Sequence, residues 1–335
     1  PTGNLEAWKE AAAGFVDEGR IEMDCVFASS FAAPLMYFAN VEGAVMSIVS
    51  DASGTGKSTA LYMAESVWGE PKKNVAIIND TSNAIMKQVG MTRHLPAYYD
   101  EAQHHSETSR RSFIDMVFQL AQGREKMRLH SDASRHSGGD WRTMFVVASN
   151  SSLVGVMADT GNSTTNADRL RLFEMEAEKG EYKNDFGKLQ EAYRFHYGQA
   201  GRVYAKVMAE KSGIIRRMVR ETATFYTKRF KAKQEERFWI ATVSALLVGA
   251  QVAKQIGLVN FDIGAMQKYL EGQFRQQRFA LKENHRDIVV HANTALEEFI
   301  NIHTPQSYVY EDISPTGDPI GAELRGPERH PVVYE

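Results

Sequence analysis

The sequence holds a single cysteine and no long apolar run, and each shortage excludes a class of protein. Cys25 has no second cysteine to pair with among the 335 residues, which rules out an internal disulfide and a zinc site built on cysteines. The most apolar window, from Ile240 to Ala250, spans about ten residues, whereas a membrane-spanning helix needs about twenty. We also find no secretory signal. These features predict a cytoplasmic protein with no membrane segment.

A strong net charge of either sign is lacking too. The chain carries 39 lysine and arginine residues against 42 aspartate and glutamate residues, a formal net charge of -3. No global basic field would attract nucleic acid. Any such contact must therefore come from a local patch or from a pore lined by several subunits.

Proline is missing from a long central stretch. None of the nine prolines lies between residues 97 and 304, whereas the end of the chain contains Pro305, Pro315, Pro319, Pro327 and Pro331. This distribution predicts an extended or disordered tail over residues 304–335. The chain begins with Pro1 rather than methionine, and we therefore expect a fragment of a longer polypeptide.

The sequence does contain a glycine loop between a strand pattern and a helix pattern, in the stretch VMSIVSDASGTGKST from Val45 to Thr59. Backbone N–H groups of such a loop surround phosphate oxygens, and the following helix directs its positive end at the same anion. Lys57 would reach the β- and γ-phosphates of ATP, and the Ser58 hydroxyl would bind Mg²⁺. The alternative, a chance glycine turn, does not explain Gly-Lys-Ser-Thr in register. The predicted nucleotide contacts are Ser53, Gly54, Thr55, Gly56, Lys57, Ser58 and Thr59.

One position departs from the P-loop pattern GxxxxGK[ST], because Asp51 stands where the first glycine is expected. Its carboxylate adds a negative charge near the phosphates. If the side chain points outward it is harmless, and if it points inward it lowers the affinity for nucleotide.

An acidic pair, Asp100 and Glu101, follows a short apolar run that begins at Leu95. A P-loop ATPase needs such a pair at the end of a neighbouring strand. Asp100 would hold Mg²⁺ through water, and Glu101 would orient the attacking water. The alternative is a helix amino terminus, where acidic residues are common.

A second apolar run, Met144 to Ser149, ends at Asn150. ATPases of the AAA+ type place a polar residue here, between the acidic pair and the γ-phosphate, and Asn150 is the candidate. An ordinary turn asparagine is the alternative.

Two arginines are candidates for contact with the γ-phosphate. Arg169 follows a polar loop, and an arginine inserted from a neighbouring subunit stabilises the transition state of phosphoryl transfer. Arg171 is its rival. Arg237, at the start of an apolar helix pattern, is a candidate second sensor acting within its own subunit. The alternative for Arg169 is a surface arginine, and the alternative for Arg237 is a residue that caps the solvated side of its helix.

Strand and helix patterns alternate between residues 45 and 175, which predicts an α/β fold with a mostly parallel sheet and helices on both faces. The predicted strands are Val45–Val49, Val75–Ile78, Ala97–Tyr99 and Met144–Ala148. Helical patterns cover residues 4–40 and 185–303. The predicted regions are an amino-terminal helical segment (1–42), an ATPase core (43–180), a carboxy-terminal helical subdomain (181–303) and the tail (304–335).

The motifs together resemble a known family, the helicase-like P-loop domain of phage, plasmid and other mobile-element replication proteins. That family was first described as a domain of unknown function and is often fused to primase. The resemblance covers roughly residues 4–303 and is carried, besides the P-loop, by Phe31-Ala-Ala-Pro-Leu35, Ala64-Glu-Ser-Val-Trp-Gly69, Thr81-Ser-Asn83, Gln122-Gly-Arg124 and Phe195-His-Tyr-Gly198.

The resemblance implies a P-loop NTPase with a three-layer core of the AAA+/superfamily III type. It implies an ATP-driven, Mg²⁺-dependent replicative helicase that acts on single-stranded DNA as a homo-oligomeric ring, with a hexamer expected. A fused or associated primase and the cytoplasm of an infected or element-bearing host cell follow from the same resemblance.

Superfamily III enzymes carry a DNA-gripping hairpin between the acidic pair and the strand of Asn150. Two short runs, residues 126–130 and 141–145, flank Ser137-Gly138-Gly139-Asp140 and predict a hairpin-like insertion. This insertion offers Arg124, Lys126, Arg128, Arg135 and His136, with Arg135 and His136 expected at the tip. The sequence alone leaves open a solvated surface hairpin. It also leaves open two other functions: an ATPase that loads or remodels replication partners without unwinding, and a non-catalytic nucleotide-binding scaffold.

Overall fold

Four parallel strands form the central sheet of the protein. Their order is β2-β5-β1-β6, and the strands are β1 (Gly43–Val49), β2 (Ala97–Tyr99), β5 (Thr143–Ser149) and β6 (Leu172–Glu176). In register, Val49 of β1 lies opposite both Ser149 of β5 and Glu176 of β6. Because all four strands run the same way, their carboxyl ends meet at one edge of the sheet, where α/β proteins bind ligands.

The structure is a computed structural model, and it describes residues 1–52, 54–77, 79–100, 107–125, 128–129, 135–136, 139–159, 170–178, 180 and 186–281. Residues 1–275 form one unit, and residues 276–335 form a second, of which the described part is helical. No helix in these ranges is both long and apolar enough to span a bilayer.

Helices account for most of the remaining described residues. Those before the last strand are α1 (Leu5–Val16), α2 (Ile21–Ala32), α3 (Met36–Ala39), α4 (Lys57–Glu65), α5 (Pro71–Asn74), α6 (Ser82–Thr92), α7 (Glu107–Ala121) and α8 (Leu153–Asp159). Those after it are α9 (Phe186–Phe195), α10 (Gln199–Glu210), α11 (Ser212–Phe230) and α12 (Arg237–Gln255), and a further helix starts at residue 263. Single 3₁₀ turns precede α3 and α12.

Helices cover both faces of the sheet, as the alternation predicts. Adjacent strand residues point to opposite faces. On one face the Tyr98 hydroxyl lies 3.2 Å from the Ser29 hydroxyl of α2, a helix buried between α4 and α12. On the other face the ring of Tyr99 packs 5.0 Å from that of Phe113 in α7, within a core shared with α6 and α8. The sheet is therefore packed against helices on both faces near the carboxyl end of β2.

The structure differs from the predicted strands at two places. Among the described residues of the run Val75–Ile78, only Ala76 pairs, in an isolated bridge to Tyr99, so this run does not form a strand. β6 was not predicted, because its glutamates, Glu174 and Glu176, interrupt the apolar pattern. Glu174 is nevertheless held within the fold, since it accepts hydrogen bonds from Ser47 and from the backbone N–H of Leu153.

The predicted hairpin is present, but its strands differ from the expected ones. β3 (Arg128–Leu129) pairs antiparallel with β4 (Arg135–His136), in the register Arg128 to His136. Arg135 and His136 therefore lie in the second strand, not at the tip. The run expected as that second strand, residues 141–145, instead leads into β5, because its apolar residues are buried in the central sheet.

Candidate nucleotide-binding site

The glycine loop occupies the expected position between β1 and α4. Gly54 and Gly56 have φ angles of 72° and 84°, a left-handed conformation that other residues adopt only with strain. Gly56 is the residue directly before α4, so the loop lies against the amino end of this helix. The first N–H groups of a helix have no partner within it, and they favour an anion.

Lys57 folds back onto the loop. Its ammonium donates hydrogen bonds to the carbonyl oxygen of Ser50 at 3.0 Å and to the hydroxyl of Thr55 at 3.3 Å. Burial lowers the pKa of Lys57, and the nearby carboxylates of Asp100 and Asp51 oppose that shift. The cation is thus held inside the loop, where the oxygens of a bound phosphate would take over from these neutral acceptors.

Ser58 and Asp100 meet across the carboxyl edge of the sheet. The Ser58 hydroxyl donates to the Asp100 carboxylate at 2.9 Å. A Mg²⁺ ion bound by the Ser58 oxygen would keep several waters, and a carboxylate at this distance could accept a hydrogen bond from one of them while it still accepts from Ser58. The described residues hold no cluster of three or more histidine, cysteine or acidic ligands. Magnesium ordinarily binds phosphate and water with only one or two protein groups, so Ser58 and Asp100 fit such an ion.

β5 separates β1 from β2, so the acidic strand is not the direct neighbour of the P-loop strand. Asn150, directly after β5, therefore lies between the end of β2, which carries Asp100, and the end of β1, which leads into the phosphate loop. A cavity of about 420 Å³ opens at this point. Among the described residues it is lined by Gly54, Thr55, Gly56, Lys57, Ser58, Thr59, Asp100, Ala148, Ser149, Asn150 and Gln190.

Two candidates named from the sequence lie away from this lining. Asp51 is exposed and does not line the cavity, although its carboxylate lies near enough to Lys57 to oppose the fall in the pKa of that lysine. Arg237 is exposed, and its guanidinium lies 4.6 Å from the ring centroid of Phe238. The next residue, Trp239, donates to the carbonyl of Leu172, the first residue of β6.

Arg237 thus belongs to the amino edge of the sheet, a strand length of about 13 Å from the phosphate loop. Arg237 is not among the described residues that line the cavity, and its role as a second sensor stays a prediction. Arg171 also contacts the Phe238 ring, at 5.4 Å, and lies at the same edge.

Several predicted residues fall outside the described part of the chain: Ser53, Glu101, Lys126, Arg169 and the tail 304–335. Of the remaining hairpin residues, Arg124 pairs in a bridge with Asp140 at the hairpin's base, and Arg128, Arg135 and His136 lie in its paired strands.

Arg20 is a site residue that the sequence did not reveal. Its side chain is 8% exposed, and it donates to the carbonyl of Thr55 in the phosphate loop at 2.8 Å. It also donates to the carbonyl of Glu178, just after β6, and forms an ion pair with Glu22 at 2.6 Å. One guanidinium therefore ties the start of α2, the phosphate loop and the segment after β6 together.

Gln190 is the second such residue. It lies on α9, a helix held beside α4 by the Tyr62 and Tyr193 rings, whose centroids are 5.9 Å apart. No motif marks either residue, because each reaches the loop through tertiary packing.

Comparison with solved structures shows that the same fold occurs in a protein described as a helicase. The chain superimposes on the structure described as "SCCmec type IV Cch - active helicase" with a TM-score of 0.68 and 17% sequence identity. The alignment covers 92% of this chain and 56% of that one, so this chain spans little more than half of that helicase.

A family described as "Domain of unknown function (DUF927)" matches residues 1–137, a segment that includes the phosphate loop and Asp100. No curated protein matches the chain.

Proposed function

We propose that the chain is the ATP-hydrolysing motor of a mobile-element replication helicase, acting on single-stranded DNA. The observation that carries this proposal is the 2.9 Å contact between Ser58 and Asp100 at the mouth of the cavity beside Lys57. A phosphate loop, a lysine and a pair of oxygen groups that fit a hydrated Mg²⁺ suit a nucleoside triphosphate. The helicase fold of the solved neighbour supports the choice of motor.

Each residue has a defined task in this proposal. Lys57 binds the β- and γ-phosphates after releasing the carbonyl of Ser50. Ser58 would hold Mg²⁺ directly and Asp100 would hold it through water, and the bound ion would neutralise charge on the phosphate oxygens. Asn150, at the end of the strand between β1 and β2, donates its amide N–H to the γ-phosphate or to the attacking water, and Glu101 orients that water.

The remaining parts of the proposal concern assembly. Arg169 would reach the γ-phosphate of a neighbouring subunit in a ring, expected to be a hexamer, and the hairpin between Arg124 and Asp140 would grip the DNA backbone. A fused or associated primase would supply the primers for replication. These assignments come from the family resemblance and from the position of the hairpin in the fold.

The decisive experiment measures ATP hydrolysis with and without single-stranded DNA, together with the mass of the assembly with nucleotide bound. We expect DNA-stimulated hydrolysis, strand displacement, and a ring whose mass is a multiple of the subunit's. Asp100→Asn should abolish hydrolysis, whereas Asp115→Asn serves as a matched control because that exposed side chain of α7 does not line the cavity.

Two outcomes would replace the proposal. Hydrolysis stimulated by a partner protein but not by DNA, without strand displacement, would favour a loader. Nucleotide binding without turnover, unchanged by Glu101→Gln, would favour a scaffold.

A further inference from the structure

A cluster of aromatic and basic side chains lies at the edge of the sheet opposite the phosphate loop. It consists of Tyr37 and Phe38 of α3, His94 before β2, Arg142 before β5, and Arg216 of α11; we term it the Tyr37 surface. Tyr37 is 48% exposed and Arg216 is exposed, while the other three are half-buried. Because His94 and Arg142 precede parallel strands, the cluster belongs to the amino edge of the sheet.

The members of the cluster hold one another in place. The Tyr37 ring lies 5.3 Å from the His94 ring and 5.7 Å from the Phe38 ring, centroid to centroid. The guanidinium of Arg142 lies 5.5 Å from the Tyr37 centroid, and that of Arg216 lies 5.3 Å from the Phe38 centroid. Residues from four separate elements therefore present a preformed array of rings and cations.

The two arginines keep their charge available. Within the described part of the chain, neither Arg142 nor Arg216 forms an ion pair with a carboxylate. Their neighbour Arg217, by contrast, lies 4.0 Å from Glu221. Unpaired cations beside an exposed ring have the chemistry that binds a phosphate next to a stacked base.

The Tyr37 surface is also continuous with the base of the hairpin. After α7 the chain enters the hairpin at Gly123 and leaves it at Trp141. The backbone N–H of Trp141 donates to the Gly123 carbonyl at 2.8 Å. The next residue is Arg142, so the hairpin and the cluster share one edge of the sheet.

We propose that the Tyr37 surface binds single-stranded nucleic acid, with a base stacked on Tyr37 and backbone phosphates on Arg142 and Arg216. The proposal extends the proposed function, since it gives the motor a second contact with its strand at the hairpin's base. Binding of nucleic acid requires no ATP hydrolysis, so the proposed surface and the proposed motor function can be refuted separately.

The test is the affinity of the full chain for fluorescein-labelled oligothymidylate, oligouridylate and duplex DNA, measured by fluorescence anisotropy without ATP. Stacking on an aromatic ring contributes enough that Tyr37→Ala should weaken single-strand binding about fivefold to a hundredfold. Tyr37→Trp should preserve it. Arg142→Ala should reduce the steepness of the plot of log affinity against log salt concentration by about one, the contribution of a single phosphate contact.

A matched control is Phe225→Ala. Phe225 lies on α11, is 50% exposed, and has the Arg229 guanidinium 5.8 Å from its centroid, but it lies outside the cluster. This variant should bind as the wild type does. Basal ATP hydrolysis should be unchanged in Tyr37→Ala, because Tyr37 lies at the far edge from the nucleotide cavity.

Wild-type affinity in both Tyr37→Ala and Arg142→Ala would overturn the proposal, as would equal binding of duplex and single strand. Failure of the chain to bind any oligonucleotide would also overturn it and would favour a protein partner. Tighter binding of one single strand than the other would support the surface and identify it as reading DNA or RNA. Binding that is lost in Tyr37→Ala, in a chain that hydrolyses no ATP, would support the surface while refuting the motor.

Discussion

Replacing Arg20 should weaken both the fold and the nucleotide site, because its buried guanidinium joins three segments. Arg20→Ala removes hydrogen bonds to the carbonyls of Thr55 and Glu178 and leaves Glu22, whose side chain is 14% exposed, without its partner. Breaking a buried ion pair on one side costs about 3–5 kcal/mol, and each lost charged hydrogen bond about 1.5–3 kcal/mol. Since these terms overlap, we expect the free energy of unfolding to fall by about 3–5 kcal/mol.

The effect on nucleotide is a separate quantity. Without Arg20 the carbonyl of Thr55 loses its anchor, and the loop must be ordered when the nucleotide binds. Ordering the backbone of one residue costs about 1–2 kcal/mol, which corresponds to about fivefold to thirtyfold weaker binding. Arg20→Lys, which offers a single ammonium in place of the guanidinium fork, should lie between the wild type and Arg20→Ala.

The assay combines urea denaturation with titration of a fluorescent ATP analogue. Glu22→Gln is the informative control, because it weakens the ion pair but leaves the bond to Thr55, so stability should fall while nucleotide affinity stays near the wild-type value. If Arg20→Ala matched the wild type in nucleotide affinity, or if Glu22→Gln weakened binding equally, the bracing of the loop by Arg20 would be refuted.

Four further predictions concern single residues. Asp100→Asn should lower Mg²⁺-dependent nucleotide affinity about tenfold or more while nucleotide binding without Mg²⁺ changes little, as titrations with and without the ion would show. Gln190→Ala should weaken nucleotide binding about fivefold, the loss of one hydrogen bond, without changing the urea midpoint. Asp51→Gly should leave nucleotide affinity within about twofold of the wild type, because the side chain is exposed and outside the cavity; tighter binding would show that it faces the phosphates. Burial, with Glu22 and Asp262 nearby, raises the pKa of Asp24 from 3.8 to about 8, so the folded chain keeps a proton that the unfolded chain releases. The free energy of unfolding should therefore fall as pH rises between about 4 and 8, and denaturation of Asp24→Asn at both ends of this window should show a smaller fall.

Short-range patterns were sufficient for the centre of the site. The glycine loop, Lys57 and Ser58 occupy one continuous stretch, in which the strand, the left-handed glycines and the helix start are dictated by neighbouring residues. Asp100 and Asn150 could be located because each ends an apolar run, and parallel strands bring such ends to one edge.

Other features depended on contacts between residues far apart in the chain. β6 is a strand because it pairs with β1, although Glu174 disrupts its local pattern. Residues 141–145 read as one arm of a hairpin, yet their burial in the sheet joins them to β5 instead. Arg237 begins an apolar helix as predicted, but the position of that helix is set by its packing on Leu172, a contact that the local pattern does not contain.

Arg20 and the Tyr37 surface show the same division. Arg20 is 35 positions from Thr55, and the cluster gathers side chains from four elements spread between Tyr37 and Arg216. Local sequence specifies backbone conformation and burial pattern, since those depend on neighbouring residues. Which distant side chain completes a loop or lies beside a ring is decided only when the elements pack, because that choice rests on contacts that no segment makes alone.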